Sequence, residues 1–333
     1  MIALGTGRTP IGLDLGTRMI RAAQLDRSGK PLATARLLRN HPGDAHGPED
    51  FMRLRGVLYR SGFRGRELII AAPKSIIQRT SIDLPPRESG APLEEIARSE
   101  LARQTHLDPA SFEFDWWDAP QPPKHGSSIR AITVSCGHDN ANALLDAVEQ
   151  AGLIPLALLS PSAASAAAAP PPEPGALVGS LDLGWSDATL VVRTATKIVF
   201  ERRLSGCGLS RAFNAVVGKH KIDPGRLARI AVRDRQDGFP PPPAVIELHE
   251  HYLHNVRDEV RSSIDYLRNC EGSHEPALLT VLGGGAGIPG VADAIAQASE
   301  IAARLAPGLH GPEMAAALAL AAPRGRYTIG EAA

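Results

Sequence analysis

The hydrophobic pattern of the first sixty residues predicts three strands and then a helix. Strands are expected at residues 11–14, 17–26 and 31–38, and short polar turns separate them. Apolar residues at helical spacing, among them Phe51, Leu54 and Leu58, then predict a helix over residues 51–61. The chain therefore opens with a βββα unit.

The next ninety residues mix strand and helix patterns. Strands are predicted at residues 67–72, 76–82, 112–117 and 130–136, and helices at residues 93–105 and 139–151. The first of these helices is amphipathic, because Leu93, Ile96 and Leu101 share one side and charged residues occupy the other. We interpret residues 67–154 as an inserted α+β subdomain.

Proline-rich segments divide the rest of the chain. Residues 151–169 predict a core strand and an alanine-rich helix, and the proline run at residues 170–175 is the clearest domain boundary. Beyond it we expect a hairpin around Asp182, a strand at 197–204, a helix at 249–267, a buried strand at 278–282, and helices at 292–303 and 312–322. The pattern as a whole indicates an α/β protein of two domains.

One short motif occurs twice. Asp14 and Gly16 follow an apolar strand, and Asp182 and Gly184 do the same, at a spacing of 182 − 14 = 168 residues. Such a turn presents exposed backbone amides that can bind an anion, while the aspartate can hold a hydrated Mg²⁺. A single copy also fits an ordinary β-turn. Two copies, each opening one half of the chain, indicate two related domains that face each other across a cleft.

A glycine-rich turn forms a third candidate element. Gly283, Gly284 and Gly285 follow a buried strand and precede a predicted helix. A helix N-terminus reached through glycines lets a backbone approach an anionic ligand closely. The segment is neither a Walker loop nor a clean Rossmann fingerprint, and alone it also fits a tight strand-to-helix connection.

Together the three elements resemble the nucleotide-binding signature of the actin/Hsp70/sugar-kinase superfold. Within it, the chain resembles the PilM family, the actin-like proteins of type IV pilus assembly. An apolar strand from Leu68 that ends in Pro73, followed by Arg79, Thr80 and a Leu84–Pro85 pair, is similar to the family's strand pair.

The resemblance implies a two-domain actin-like ATPase fold with an α+β insert in the first domain. The implied division is residues 10–66 and 155–172 for domain 1, 67–154 for the insert, 175–311 for domain 2, and 312–325 for a C-terminal helix on domain 1. The implied ligands are ATP and Mg²⁺. The matching nucleotide-binding positions are Asp14, Gly16, Thr17, Arg18, Asp182, Gly184, Thr189, Gly283, Gly284 and Gly285, with Asp14 and Asp182 holding the metal through water and a basic residue at Arg21.

At three positions the chain differs from the residues that are common in the superfold. Ser160 stands where many members of the superfold have a glutamate near the attacking water, and a serine cannot supply a comparable negative charge. Ser205 and Cys207 replace a glycine and an aspartate near the nucleotide. We therefore expect ATP binding with slow or absent hydrolysis.

The resemblance also implies a role and a partner. The role is a cytoplasmic scaffold at the inner face of the inner membrane, in a pilus or a related secretion or competence system, and the partner is the cytoplasmic N-terminal tail of a PilN-like membrane protein. That tail would dock in a groove that involves the insert. The resemblance leaves open whether the protein self-associates. A degenerate adaptor without nucleotide and a small-molecule kinase are the alternatives.

Charge and cysteine content limit the partners and the cellular compartment that we expect. The formal net charge of zero gives no reason to expect nucleic acid or an acidic membrane surface as the partner. Cys136, Cys207 and Cys270 are odd in number and scattered, which argues for a reducing compartment and against disulfides or a zinc site.

No segment has the pattern expected of a signal peptide or a membrane span. Residues 1–10 lack the pattern of a signal peptide. Residues 151–169 are interrupted by two prolines, which argues against a membrane-spanning helix there. We expect a soluble protein.

Overall fold

The computed structural model describes residues 9–43, 45–119, 128–233, 241–270, 275–308 and 310–322. The strands are β1 (Ile11–Leu15), β2 (Met19–Leu25), β3 (Pro31–Leu38), β4 (Glu67–Ala71), β5 (Ile77–Leu84), β6 (Phe112–Asp118), β7 (Ile129–Gly137), β8 (Ile154–Leu159), β9 (Val178–Leu183), β10 (Ala188–Arg193), β11 (Ile198–Leu204), β12 (Leu279–Leu282) and β13 (Ala303–Leu305). The helices are α1 (Pro48–Arg60), α2 (Leu93–Thr105), α3 (His138–Gln150), α4 (Pro161–Ala168), α5 (Leu209–His220), α6 (Pro224–Arg233), α7 (Pro243–Arg268), α8 (Val291–Ser299) and α9 (Ala315–Ala321).

Two five-stranded sheets have the same topology. Their strand orders are β3-β2-β1-β4-β8 and β11-β10-β9-β12-β13. In each sheet the first three strands of the order pair antiparallel and the remaining strands pair parallel. We call the half of the molecule built on the first sheet the first lobe and the half built on the second sheet the second lobe. The equal strand order gives the repeated motif equivalent places in the two lobes.

A separate three-stranded sheet, in the order β5-β7-β6, forms the insert with helix α2. The insert therefore spans residues 77–137, and the predicted range of 67–154 is too long. Strands β4 and β8 pair within the first sheet, and helix α3 places Leu144 and Val148 in the core of the first lobe. An apolar run predicts a strand, but the choice of partner strand depends on residues far away in sequence.

Each lobe buries its own core. In the second lobe, helices α5, α7 and α8 supply apolar side chains that pack against the sheet. In the first lobe, helices α1 and α3 cover one face of the sheet, while α4 and α9 pack on the opposite face, against alternate residues of β2 and β4. Helix α4 also contacts β9, β10 and β11, so it joins the two lobes.

Helix α9 returns to the first lobe after the chain has completed the second. It packs on β1 and β2 so closely that a β-carbon on Gly12 would overlap the carbonyl oxygen of Ala317. Glycine is required at this position because the two backbones are in contact. The predicted C-terminal helix at 312–325 is thus found as a 3-10 turn, Pro312–Met314, followed by α9, and residues 323–325 lie outside the described residues.

Two helix boundaries differ from the sequence expectation. Helix α7 begins at Pro243, because a proline fits the first turn of a helix, where its missing N–H is not needed. Helix α8 ends at Ser299 rather than at residue 303, since Glu300 takes a left-handed conformation with φ of 59° and strand β13 follows. No helix within the described ranges is long and apolar enough to cross a membrane.

Candidate functional site

The two predicted loops have the same local geometry. We call residues 14–18 the first loop and residues 182–187 the second loop. A β-carbon on Gly16 would lie 2.7 Å from the Met19 carbonyl oxygen, and one on Gly184 would lie 2.6 Å from the Asp187 carbonyl oxygen. Both glycines are therefore needed so that the chain can turn back on itself three residues later.

Asp14 ends strand β1 and faces Arg21 across the hairpin. The two residues are register partners, and the Arg21 Nη1 atom donates to the Asp14 Oδ2 atom at 3.1 Å. Burial raises the pKa of the Asp14 carboxyl above its ordinary value, Arg21 lowers it, and the charge of Asp182 raises it. The two predicted carboxylates are thus close enough to repel each other across the cleft.

Arg18 of the first loop contacts the second loop directly. Its guanidinium carbon lies 4.1 Å from the centroid of the Trp185 ring and 5.7 Å from that of Phe213. Burial lowers the pKa of Arg18. A guanidinium over an indole face is an attractive cation–π contact, so it holds the two loops together.

Lys74 is a second contact between the lobes, and sequence reasoning missed it. It follows β4 in the first lobe, and its Nζ atom lies 3.1 Å from Asp182 Oδ2 and 2.9 Å from Asp187 Oδ1. Burial lowers the pKa of the Lys74 ammonium, but Asp182 and Asp187 outweigh that effect and raise it to about 12. One signal could have found it: β4 is parallel to β1, so the residues after β4 lie at the same sheet edge as Asp14.

Asp187 was likewise not predicted. It lies in the second loop and is only 3 % exposed. Besides Lys74, it accepts from Arg203 on β11, with distances of 2.6 Å to Nη2 and 2.8 Å to Nε. Both of these hydrogen bonds end on Asp187 Oδ2, while Lys74 holds Oδ1, so the two partners together fix the carboxylate. Arg203 also connects the second loop to the outer strand of its sheet.

The glycine-rich turn packs beneath both loops. A β-carbon on Gly283 would overlap the Asp182 Oδ1 atom, and one on Gly285 would overlap the Tyr252 hydroxyl. A β-carbon on Gly284 would lie 3.2 Å from Arg21 Nη2. Each of these glycines leaves room for a neighbouring side chain, which the sequence could not reveal.

One detail of the glycine-rich turn differs from expectation. Gly284–Gly287 form a 3-10 turn, and helix α8 starts only at Val291. The glycines are therefore not at the N-terminus of α8, and the dipole of that helix does not act at the turn. The Gly283 amide donates to the Pro312 carbonyl oxygen at 3.2 Å, and of the three glycines only Gly284 is exposed.

Two predicted threonines lie outside the centre of the site. The Thr17 carbonyl oxygen accepts from Arg39 Nη1 at 3.0 Å, which anchors the back of the first loop. Thr189 lies in strand β10 opposite Asp182 and is 5 % exposed. In the turn between Asp182 and Thr189, Ser186 is exposed and Trp185 is half-buried, so Thr189 supports the hairpin from within.

The substituted position Ser160 has a structural role. Its hydroxyl caps helix α4 by accepting a hydrogen bond from the Ala163 amide at 3.1 Å. A capping serine offers no carboxylate at this place in the fold. Cys207, the other notable departure, is fully buried beneath the second loop.

The charges of the site favour an anion more than a metal. Arg18, Arg21 and Lys74 bring three cationic groups to the loops, together with turn amides. Asp14 and Asp182, the predicted metal residues, already pair with Arg21 and Lys74. Within the described ranges, no group of three or more histidine, cysteine or acidic residues could hold a metal ion.

Comparison with known proteins gives relatives by structure. No protein-family model and no curated protein matches the chain by sequence. The PilM structure of the PilM–PilN type IV pilus biogenesis complex matches with a TM-score of 0.71 over 95 % of this chain and 98 % of that one, at 19 % identity.

Two further structures match with lower scores. The ethanolamine utilization protein EutJ from Carboxydothermus hydrogenoformans has a TM-score of 0.58 at 16 % identity, over 96 % of this chain and 91 % of that one. A ROK family glucokinase from Streptomyces griseus, in complex with glucose and AMPPNP, has a TM-score of 0.51 at 13 % identity, over 95 % and 98 %.

These matches cover both lobes and the insert, and they confirm the fold expected from the repeated loops. The structural resemblance to PilM is confirmed as well. The chain has the actin-like fold of the ATPases and sugar kinases, in the arrangement of the PilM structure.

Proposed function

We propose that this protein is an actin-like, ATP-binding scaffold of a type IV pilus or related assembly platform, at the cytoplasmic face of the inner membrane. The observation that carries the proposal is the meeting of the first loop, the second loop and the glycine-rich turn around Asp14 and Asp182. It is supported by the fold, since one solved structure of this fold is a PilM–PilN complex and another holds AMPPNP.

The phosphates of a nucleotide suit the charges between the loops. Arg18, Arg21 and Lys74 supply positive charge, and the turns supply amides, which together are the usual means of holding phosphate oxygens. When a nucleotide binds, Arg18 either leaves the Trp185 ring or stays stacked on it, so that Trp185 lines one side of the site. Either way, the nucleotide would act on the contacts that join the two lobes.

Hydrolysis is expected to be slow or absent. Ser160 stands where a carboxylate would orient water, and its hydroxyl caps helix α4. A serine hydroxyl is too weak a base to take a proton from an attacking water. The nucleotide therefore serves as a structural ligand whose presence sets the relation between the lobes.

A cavity of about 420 Å³ is the candidate docking groove for the tail of a PilN-like protein. It lies between the insert, the start of α4 and strand β11, so both lobes and the insert contribute to it. Ile77, Ile132 and Pro161 give it an apolar wall, and Arg79 and Glu201 give it charges of both signs. A tail bound there would respond to lobe movement.

Calorimetry with ATP and ADP tests the nucleotide part of the proposal. We expect saturable binding that is lost in Asp182→Ala and retained in Glu88→Gln, which alters an exposed carboxylate of the insert. A steady-state turnover near one per second that disappears in Asp182→Ala would contradict slow hydrolysis, because about one per second is already within the usual range of enzyme turnover rates.

Fluorescence anisotropy with a labelled synthetic tail peptide of the PilN-like protein tests docking. Ser81→Trp should fill the cavity and weaken binding by about tenfold or more, since lost contacts of 1.4 kcal/mol give that factor. Tyr59→Ser, on the exposed face of α1, is the matched control. Equal affinity of Ser81→Trp and the wild type would place the tail elsewhere.

A second candidate, an adaptor that binds no nucleotide, is favoured by one observation. Arg18 and Lys74 already connect the two loops without any ligand. An absence of ATP and ADP binding in calorimetry, together with retained peptide binding, would select this alternative.

A further inference from the structure

The Lys74 ammonium lies between two carboxylates of the opposite lobe. Its Nζ atom is 3.1 Å from Asp182 Oδ2 and 2.9 Å from Asp187 Oδ1, and it lies 3.9 Å from where a β-carbon on Gly184 would stand. Lys74 belongs to the turn after β4, whereas both aspartates belong to the second loop. A single positive charge from the first lobe thus compensates two negative charges of the second.

The remaining oxygens of these two carboxylates face different neighbours. Asp182 Oδ1 points at the glycine-rich turn, where even a β-carbon on Gly283 would overlap it. Asp187 Oδ2 accepts from both Arg203 Nη2 and Arg203 Nε. The Asp182 oxygen that faces the cleft is therefore the one that Lys74 holds.

Asp14, on the other side of the cleft, is paired through one of its oxygens. Its Oδ2 atom accepts from Arg21. Mg²⁺ keeps several waters and binds through one or two carboxylates with free lone pairs. A divalent ion beside Asp182 would have to displace the Lys74 ammonium, because two cations cannot share that oxygen without strong repulsion. At Asp182, the residues present therefore do not fit the metal that the sequence predicts there.

We propose that Lys74 is the resident cation of this cleft, and that its ammonium occupies the position beside Asp182 in place of a divalent metal. In the nucleotide-bound protein, the same ammonium supplies the positive charge that the phosphate oxygens require. This last step rests on the proposed nucleotide-binding function, whereas the exclusion of a metal by Lys74 does not.

Titration with Mn²⁺ alone, followed by electron paramagnetic resonance, tests the exclusion. The wild type and Lys30→Met, which changes an exposed lysine of the β2–β3 turn, should bind Mn²⁺ only weakly. Lys74→Met should gain one site that is tighter by about tenfold or more, because Asp182 Oδ2 and Asp187 Oδ1 lose the cation that holds them. Lys74→Met combined with Asp182→Asn should lose that site.

The wild type alone provides a second test, which does not depend on the folding of any variant. Its ATP affinity should change by less than about threefold between Mg²⁺ and EDTA. As a separate comparison, the ATP affinity of Lys74→Met should fall by about tenfold or more when Mg²⁺ is replaced by EDTA. A tenfold loss for the wild type in EDTA, or Mn²⁺ binding by the wild type as tight as by Lys74→Met, would overturn the inference. If the wild type binds no ATP in either buffer, the proposed function fails, and the Mn²⁺ titration still decides the role of Lys74.

Discussion

The Arg18 guanidinium lies 4.1 Å from the centroid of the Trp185 ring, so the first loop rests on the second. Each residue belongs to one copy of the repeated motif. The contact is therefore made between two related hairpins of different lobes. Together with the ion pairs of Lys74, this contact determines the distance between the two lobes at the cleft.

Removal of the Arg18 contact should lower the free energy of unfolding, because the two lobes lose one of the contacts between them. Arg18→Gln is expected to cost about 1 kcal/mol of free energy of unfolding, the usual size of a partly buried cation–π pair. A double-mutant cycle with Trp185→Leu in urea unfolding measures the coupling. Arg27→Gln, at an exposed turn, is the control. A coupling energy near zero would mean that the contact between Arg18 and Trp185 does not stabilise the two loops.

Gly12 should be sensitive to the smallest side chain. Gly12→Ala places a methyl group against the Ala317 carbonyl oxygen, so α9 must shift, and we expect a loss of about 1–3 kcal/mol. Gly218→Ala, in the exposed part of α5 where no atom is within 4 Å, should instead stabilise by about 0.5–1 kcal/mol. Thermal and urea unfolding of the two variants test the opposite signs.

Arg193 should be important for the junction between the lobes. Its guanidinium donates to the carbonyl oxygens of Ala166, Ala169 and Pro170 at 2.9, 3.1 and 3.1 Å, at the end of α4. Arg193→Met leaves those carbonyls unpaired, and a loss of about 3 kcal/mol or more is expected in urea unfolding. Arg261→Met, on the exposed side of α7, should change stability by less than about 0.5 kcal/mol. Equal effects of the two substitutions would contradict this role.

Glu201 should make stability depend on pH. Burial raises the pKa of its carboxyl, Arg79 and Ser162 lower it, and its Oε2 atom has no hydrogen-bond partner among the described residues. The folded protein therefore binds the proton more tightly than the unfolded chain, and the free energy of unfolding falls as the pH rises above the ordinary value of 4.5.

The test is Glu201→Gln, which removes the titrating group. Relative to the wild type, the variant should gain stability between pH 4.5 and pH 7 in urea unfolding. A stability difference that is the same at both pH values would show that Glu201 titrates as it does in the unfolded chain.

The cysteines should differ strongly in reactivity. Burial and Glu259 raise the pKa of Cys207 to about 12, and Arg202 lowers it, so little thiolate exists at pH 8. Cys136 is half-buried and should react first with a thiol reagent, faster than Cys207 by about a thousandfold or more. Cys136→Ser should remove the fast phase, and Cys207→Ser should leave it unchanged. A fast phase that persists in Cys136→Ser would contradict the order.

The sequence by itself determined the local elements and the repeat. The alternation of apolar residues located the strands and most helices, and the spacing of Asp14 and Asp182 identified the two hairpins that the fold places in equivalent positions. These features can be read from the chain because they depend on periodicity and backbone chemistry within contiguous residues. The expectation that Ser160 replaces a carboxylate rests instead on the resemblance to the superfold.

Only the tertiary structure decided how those elements meet. It placed β4 and β8 in the first sheet, and it brought Lys74 between Asp182 and Asp187. It also set the glycine-rich turn against Asp182 rather than at the start of α8. Contacts between residues a hundred positions apart depend on which surfaces the folded lobes bury, and no local pattern in the chain records that choice.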